Sequence, residues 1–449
     1  MKTTRGLAAL VIGVLMIGGC SGMKMGSRMP YAVETAAKVG REQPAPEKEA
    51  TVDYHGADIL RFLDNRHLLV GTLTFDVAGM PAYGPVILYD TESMRAKWRI
   101  PREAHHAARH QFVSFAPRLV LRTDLEGRVT HSAFERAAGR RLWTHTAEAA
   151  RAVAYRQAAD FDLAAFYVLA GSRLQGVDAA TGAVQWQKTV PLDAAAAAKV
   201  QLLALEEFLV LADARAITAF ACQDGRRLWS RDNPVAGEVT LLAGAGGVFV
   251  YAAGKAEHLD WAGRTDWQWE TQGGEIKLVV PREKGVLVVT REAGREGDRL
   301  NYVAGGRTRW TTDLPGQAMS PVLDEGRVLY LTTGPQATES GVRTLVGIDA
   351  HRGRRMLQLE LPAASGQMET AYVPLADKLV RGPRHLFVLR ESYGITAVDT
   401  ARRAVAWTRP APVSAKIENM NLIARVDPQF RLADKDRYNP TYVAANLGA

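Results

Sequence analysis

Short apolar runs recur along the chain, each followed by a polar, glycine-bearing segment. "FYVLAG" (166–171), "FLVLAD" (208–213), "VFVYAAG" (248–254), "VLVVTR" (286–291), "VLYLTT" (328–333) and "LFVLRE" (386–391) are rich in Val, Leu, Tyr and Phe. Runs this short, bounded by Gly, Asp or charged residues, have the length of strands rather than helices. A second pattern follows them. In "LQGVDAATGAVQW" (174–186), alternating apolar residues lead to Asp178, a turn on Thr181-Gly182, and a Trp four residues after the glycine.

The same pattern returns in "AFERAAGRRLW" (133–143), "AFACQDGRRLW" (219–229), "AEHLDWAGRTDW" (256–267) and "LNYVAGGRTRW" (300–310). Three degraded copies extend it. "LYDTESMRAKW" (88–98) has Met94 for the glycine, "GIDAHRGRRML" (347–357) has Leu357 for the Trp, and "AVDTARRAVAW" (397–407) has Arg403 for the glycine. Aligned on Trp98, Trp143, Trp186, Trp229, Trp267, Trp310, Leu357 and Trp407, the units are spaced by 45, 43, 43, 38, 43, 47 and 50 residues. A period near 44 built of strand-length runs predicts propeller blades. The expected fold class is all-β, an eight-bladed β-propeller of four-stranded blades. Within a unit the apolar run reads as the first strand, the segment ending in Asp as the second, the Trp segment as the third, and the next apolar piece as the fourth. On that reading each Trp is structural. It buries about 150–250 Å² against the next blade, a contribution of up to roughly 4–6 kcal/mol before entropy is subtracted. The glycine supplies the positive φ of a tight hairpin, so Met94 and Arg403 imply a different turn in their units.

The pattern Ala/Gly-x-Asp-x-x-x-Gly-x-x-x-Trp is intact at Gly176, Asp178, Gly182 and Trp186 and partly kept at Asp90, Ala133, Asp349, Ala397 and Asp399. It resembles the tryptophan-docking repeat of quinoprotein-like (PQQ-like) propellers and covers residues 51–425. Enzymes and non-enzymes share that repeat, so it implies fold more than function.

Composition agrees with a globular chain of 449 residues, with 47% hydrophobic and 23% charged residues. Eight units leave no room for a second domain. Residues 1–19 read as a lipoprotein signal peptide: Lys2 and Arg5 precede an apolar stretch from Leu7 to Ile17, too short to span a bilayer. "IGGC" (17–20) resembles a bacterial lipobox, which makes Cys20 the lipidated first residue of the mature chain; with Ser21 after it the resemblance implies outer-membrane sorting, and the expected orientation faces the periplasm, with a surface-exposed one left open. Residues 20–50 read as the lipidated N-terminus and a flexible linker, and residues 426–449 as a C-terminal surface tail. Either residues 50–62 or residues 414–426 could supply the strand that closes the ring. Cys20 and Cys222 are the only cysteines, so acylation of Cys20 leaves no intramolecular disulfide, and Cys222 reads as a buried small hydrophobe.

Two functional readings follow. A lipobox, a linker and eight PQQ-like repeats are similar in architecture to the propeller lipoprotein of the outer-membrane β-barrel assembly machinery. This resemblance implies a non-catalytic, membrane-anchored scaffold for envelope protein partners, a monomer within a complex that binds no nucleic acid. The alternative is a PQQ-dependent dehydrogenase or a ligand-binding envelope propeller. Enzymes of that kind use a vicinal disulfide and calcium ligands, and this sequence has no Cys-Cys pair and few Asn in its repeats. No catalytic residue, cofactor or metal site is therefore nominated. His105, His106 and His110 raise metal binding, since a spacing of four could align two imidazoles on a helix, but an exposed loop is the plainer reading. "DAAAAAKV" (193–200) reads as a short helix capped by Asp193.

Arginine supplies the last pattern. Arg95, Arg140, Arg226, Arg264, Arg307 and Arg354 each follow the turn glycine or its substitute. The formal charge is 56 − 48 = +8, and +6 once Lys2 and Arg5 leave with the signal. Equivalent turns of a propeller point to one face, so six turns become a ring. The expectation is a basic interaction face for an anionic partner, against the plainer reading of arginines that solvate exposed turns and cover the indole edges.

Overall fold

The computed structural model describes residues 33–34, 48–53, 57–63, 66–75, 80–90, 93, 95–158, 163–192, 200–234, 239–334, 343–361, 378–381, 385–390, 394–409, 421–426 and 442–447. It is an eight-bladed β-propeller whose blades span 57–100, 109–147, 150–189, 201–232, 240–270, 274–313, 317–361 and 378–409. Each blade is an antiparallel sheet of strands in sequence order. In the seventh the first strand is split, with Gln317–Ala318 and Leu323–Asp324 both pairing with Val328–Gly334. The eighth blade is complete with four strands of its own. Of the two segments weighed for closing the ring, Ala57–Phe62 within the first is the first strand of the first blade, while Lys48–Asp53 pairs with Asn421–Val426 in a further sheet with Val33–Glu34 and Tyr442–Leu447.

The apolar run of each unit is the second strand of its blade, not the first. Leu163–Ala170 pairs on one side with Ala150–Gln157 and on the other with Arg173–Asp178, which in turn pairs with Val184–Thr189. The unit boundary therefore shifts by one strand. The Asp-ended segment is the third strand, the Trp lies on the fourth, and the piece read as a fourth strand is the first strand of the next blade. The first strands of the third to sixth blades approach one another in succession, which places them around the axis and the Trp strands at the rim. First strands escaped the pattern because theirs is weak: Gln201–Ala204 is half-buried throughout.

The core lies between blades. Phe166 and Val168 join the cluster shared with the second blade, while their neighbours Tyr167 and Leu169 join the one shared with the fourth. Seven such clusters join successive blades from the first to the eighth. A strand buried on both faces needs an unbroken apolar run instead of alternation, which is why the second strands dominate the sequence pattern.

Candidate interaction face

The repeated motif builds the turn between third and fourth strands. The acidic residue that ends the third strand caps it. Asp178 Oδ1 accepts from the Thr181 amide at 2.8 Å and from its hydroxyl at 2.7 Å. Asp349 Oδ1 accepts from the amides of His351 and Arg352, both at 2.9 Å, and Asp399 Oδ1 from those of Ala401 and Arg402, both at 3.0 Å. Asp260 Oδ1 does the same for Ala262 and Arg264. Backbone amides, foremost those of Arg264, Arg352 and Arg402, hold the Asp260, Asp349 and Asp399 carboxyls below the usual carboxylate range.

The turn receives the indole of the preceding blade. Trp98, Trp143, Trp186 and Trp229 donate Nε1–H to the carbonyls of Arg136, Ala180, Cys222 and Trp261, at 3.0, 3.1, 2.9 and 2.9 Å. Each acceptor lies in the next blade's turn, whose glycine rests on the ring. A Cβ on Gly139, Gly182, Gly225, Gly263 or Gly353 would come within 2.5–2.8 Å of a ring carbon of Trp98, Trp143, Trp186, Trp229 or Trp310. On Gly306 it would lie 3.3 Å from Trp267 Cβ. Trp98 and Trp186 are buried, while Trp143, Trp229, Trp267, Trp310 and Trp407 are half-buried, as the rim position allows.

Arg403 corrects the expectation of a different turn. Its φ is +55°, in the same left-handed region as Gly353 at +68°. The blade before it carries Leu357 in place of the Trp. Without an indole to receive, the turn tolerates a Cβ and bears only the backbone strain. Met94 lies outside the described residues.

Arg95, Arg140, Arg226, Arg264, Arg307 and Arg354 are all exposed, each at the start of a fourth strand or in the turn before it. The main chain that fixes them is rigid, since the carbonyls of Arg140, Arg226, Arg264 and Arg354 accept from the amides of Glu135, Ala221, Asp260 and Asp349 at 2.8–2.9 Å. Within the turns Arg140 pairs with Glu135 at 3.1 Å and Arg264 with Asp260 at 2.7 Å. Arg95, Arg226, Arg307 and Arg354 make no ion pair among the described residues. The arrangement can hold carboxylates or phosphates on several blades at once.

The histidines do not assemble. Residues 101–108 form no helix; His105 stacks on His106 with ring centroids 4.4 Å apart. His110 lies on the strand Arg109–Ser114, its Nε2 2.9 Å from the Glu103 carbonyl and its Nδ1 3.2 Å from Thr123 Oγ1. Burial, reinforced by Arg102, lowers its pKa to about 4. No group of three or more metal-ligating side chains occurs among the described residues. Cys222 is buried and burial raises its pKa. Cys20 and residues 193–199 lie outside the described residues.

Other arginines, not singled out in the sequence, tie blades together. Arg118, Arg156 and Arg282 donate to the carbonyls of Ala179, Glu206 and Ala350 in the next blade. Arg231 pairs with buried Glu257 of the next blade at 3.1 Å; within the sixth blade Arg291 pairs with buried Asp298 at 2.8 Å. Their one sequence signal is a charge inside or at the end of a strand, which does not separate a staple from a solvated residue.

The sequence matches the family model described as outer membrane protein assembly factor BamB over residues 34–204, 125–277 and 212–425. No curated protein matches it. Among solved structures it is similar to BamB from Moraxella catarrhalis, with 14% identity over 76% of this chain and 96% of that one and a TM-score of 0.42. It is also similar to the computationally designed Ika8 protein (14% identity, 77% and 96% covered, TM-score 0.48) and to AztD from Citrobacter koseri (10% identity, 81% and 95% covered, TM-score 0.45).

Proposed function

The chain belongs to the family of outer membrane protein assembly factor BamB, and on that premise we propose that it is a non-catalytic, lipid-anchored propeller scaffold of the bacterial outer membrane. The observation that carries this reading is the overlapping family match, which runs from residue 34 to residue 425 and takes in every blade. In this role the propeller faces the periplasm and docks envelope protein partners that serve outer-membrane protein assembly. Acyl chains on Cys20 hold it at the membrane, since two or more chains, at about 0.8 kcal/mol per buried CH₂, anchor stably. The exposed arginine turns form its basic interaction face for an anionic partner. No chemistry on a substrate is assigned.

Crosslinking in the native envelope, followed by recovery of the anchored protein, tests the scaffold role. The expected outcome is capture of a β-barrel-assembly component. Recovery of a metabolic enzyme complex in its place would refute the reading. The anchor is tested separately by Cys20→Ala, which is expected to leave an unprocessed precursor or release the protein from membranes; a processed variant that stays in the membrane fraction would refute lipidation.

A further inference from the structure

Four large hydrophobic residues are exposed among the described residues; two of them stand beside arginine turns and a third at the corresponding place in the blade whose turn has no arginine. Leu142, Val184 and Met356 are 39%, 44% and 43% exposed. Each lies on a fourth strand, two or three residues beyond the turn glycine, and Leu142 and Met356 directly follow Arg141 and Arg355. Exposed aliphatics among arginines have the composition of a surface that rests at an anionic membrane interface, guanidinium groups on phosphates and aliphatic tips in the acyl boundary.

The distribution around the ring distinguishes among anionic partners. The arginine positions occur on the first, second, fourth, fifth, sixth and seventh blades, and the exposed aliphatics on the second, third and seventh. An acidic peptide or a single protein domain meets one sector of such a ring. A lipid leaflet is flat and meets all of it. The turns between first and second strands, nearer the axis on the same face, carry both signs: Glu206, Glu207 and Glu283 stand with Lys284 and Arg327, all exposed. The described turns of the opposite face, between second and third strands, also carry both signs: Arg128, Arg173, Arg215, Lys255 and Arg295 stand in or directly after them, with Glu126, Asp213, Glu296 and Asp298.

We propose that this arginine-and-aliphatic rim docks the propeller onto an anionic lipid leaflet. The proposal rests on the basic-face reading above and names its partner. The propeller then lies flat beside its own anchor, and a weak intrinsic affinity suffices because tethering raises the local concentration of lipid.

The test uses the chain from residue 20 carrying Cys20→Ala, so that acylation contributes no membrane affinity. Sedimentation is measured with vesicles of phosphatidylcholine alone and of phosphatidylcholine with phosphatidylglycerol. Binding is expected only to the anionic vesicles and is expected to fall with salt. Replacement of Arg226, Arg307 and Arg354 by Gln lowers the partition coefficient on the order of a hundredfold, from roughly fivefold per arginine. Leu142→Ser with Met356→Ser lowers it about tenfold with no change in salt dependence, and unchanged unfolding midpoints show that both variants fold. Polyglutamate serves as a second probe. Arginine-dependent binding of polyglutamate with no binding to anionic vesicles overturns the lipid proposal and leaves the basic face standing. Binding to neither probe overturns both. Vesicle binding insensitive to either set of replacements also overturns the proposal.

Discussion

Replacing Gly225 with Ala separates two costs that the turn combines. At φ +68° a Cβ is strained by roughly 1–2 kcal/mol. In addition, the new methyl would lie 2.5 Å from Cε3 of Trp186, an indole held between blades by its hydrogen bond to the Cys222 carbonyl at 2.9 Å. Overpacking of that kind costs typically 1–3 kcal/mol. The expected loss for Gly225→Ala is thus about 2–5 kcal/mol. Gly127 isolates the first cost: its φ is +79° but a Cβ there meets nothing within 4 Å. Gly127→Ala should therefore lose only about 1–2 kcal/mol. The seventh and eighth blades, with Leu357 before Arg403, suggest the rescue. In Trp186→Leu, the added Gly225→Ala should cost only the strain, so the double mutant is less destabilised than the sum of its parts by about 1–3 kcal/mol. Urea unfolding followed by tryptophan fluorescence and by circular dichroism measures all four variants. Additive losses, or a Gly225→Ala no worse than Gly127→Ala, would show that the glycine serves the turn alone and that the docking argument is wrong.

The remaining expectations concern other parts of the same scaffold. Arg403→Gly should stabilise by about 0.5–2 kcal/mol through release of left-handed strain, read as a higher unfolding midpoint; an unchanged midpoint refutes the strain. Asp298→Ala should cost about 3–5 kcal/mol, because it leaves Arg291 without its two carboxylate contacts at 2.8 and 3.1 Å and the Ala318 amide without its acceptor; a loss no larger than that of an exposed ion pair refutes the assignment. The capping carboxylates Asp260, Asp349 and Asp399 have lowered values in the fold, so their contribution is complete above the ordinary carboxylate range and is lost as pH falls through the lowered folded values. Stability measured against pH should fall on the acid side, and less steeply when all three are Asn; identical acid limbs would count against the caps.

The period of the Gly and Trp positions, with the strand length of the apolar runs, determined the propeller and its eight units. A blade is a local, sequential hairpin structure, so the elements that define it are neighbours in sequence. The arginine turns were equally legible, as positions in that repeat. Tertiary structure alone decided the phase of the repeat. Gln201–Ala204 and its counterparts carry little pattern, and only their succession around the axis shows that a blade begins there and that the Trp lies at the rim. It also decided why the glycine is there. In sequence, Gly225 and Arg403 differ as turn residues; in the fold both take positive φ, and what differs is the side chain the neighbouring blade contributes, Trp186 for one and Leu357 for the other. The staples through Arg118, Arg231 and Arg282 were invisible for the same reason: their partners come from another blade, and no local spacing records a contact that exists only once the blades stack.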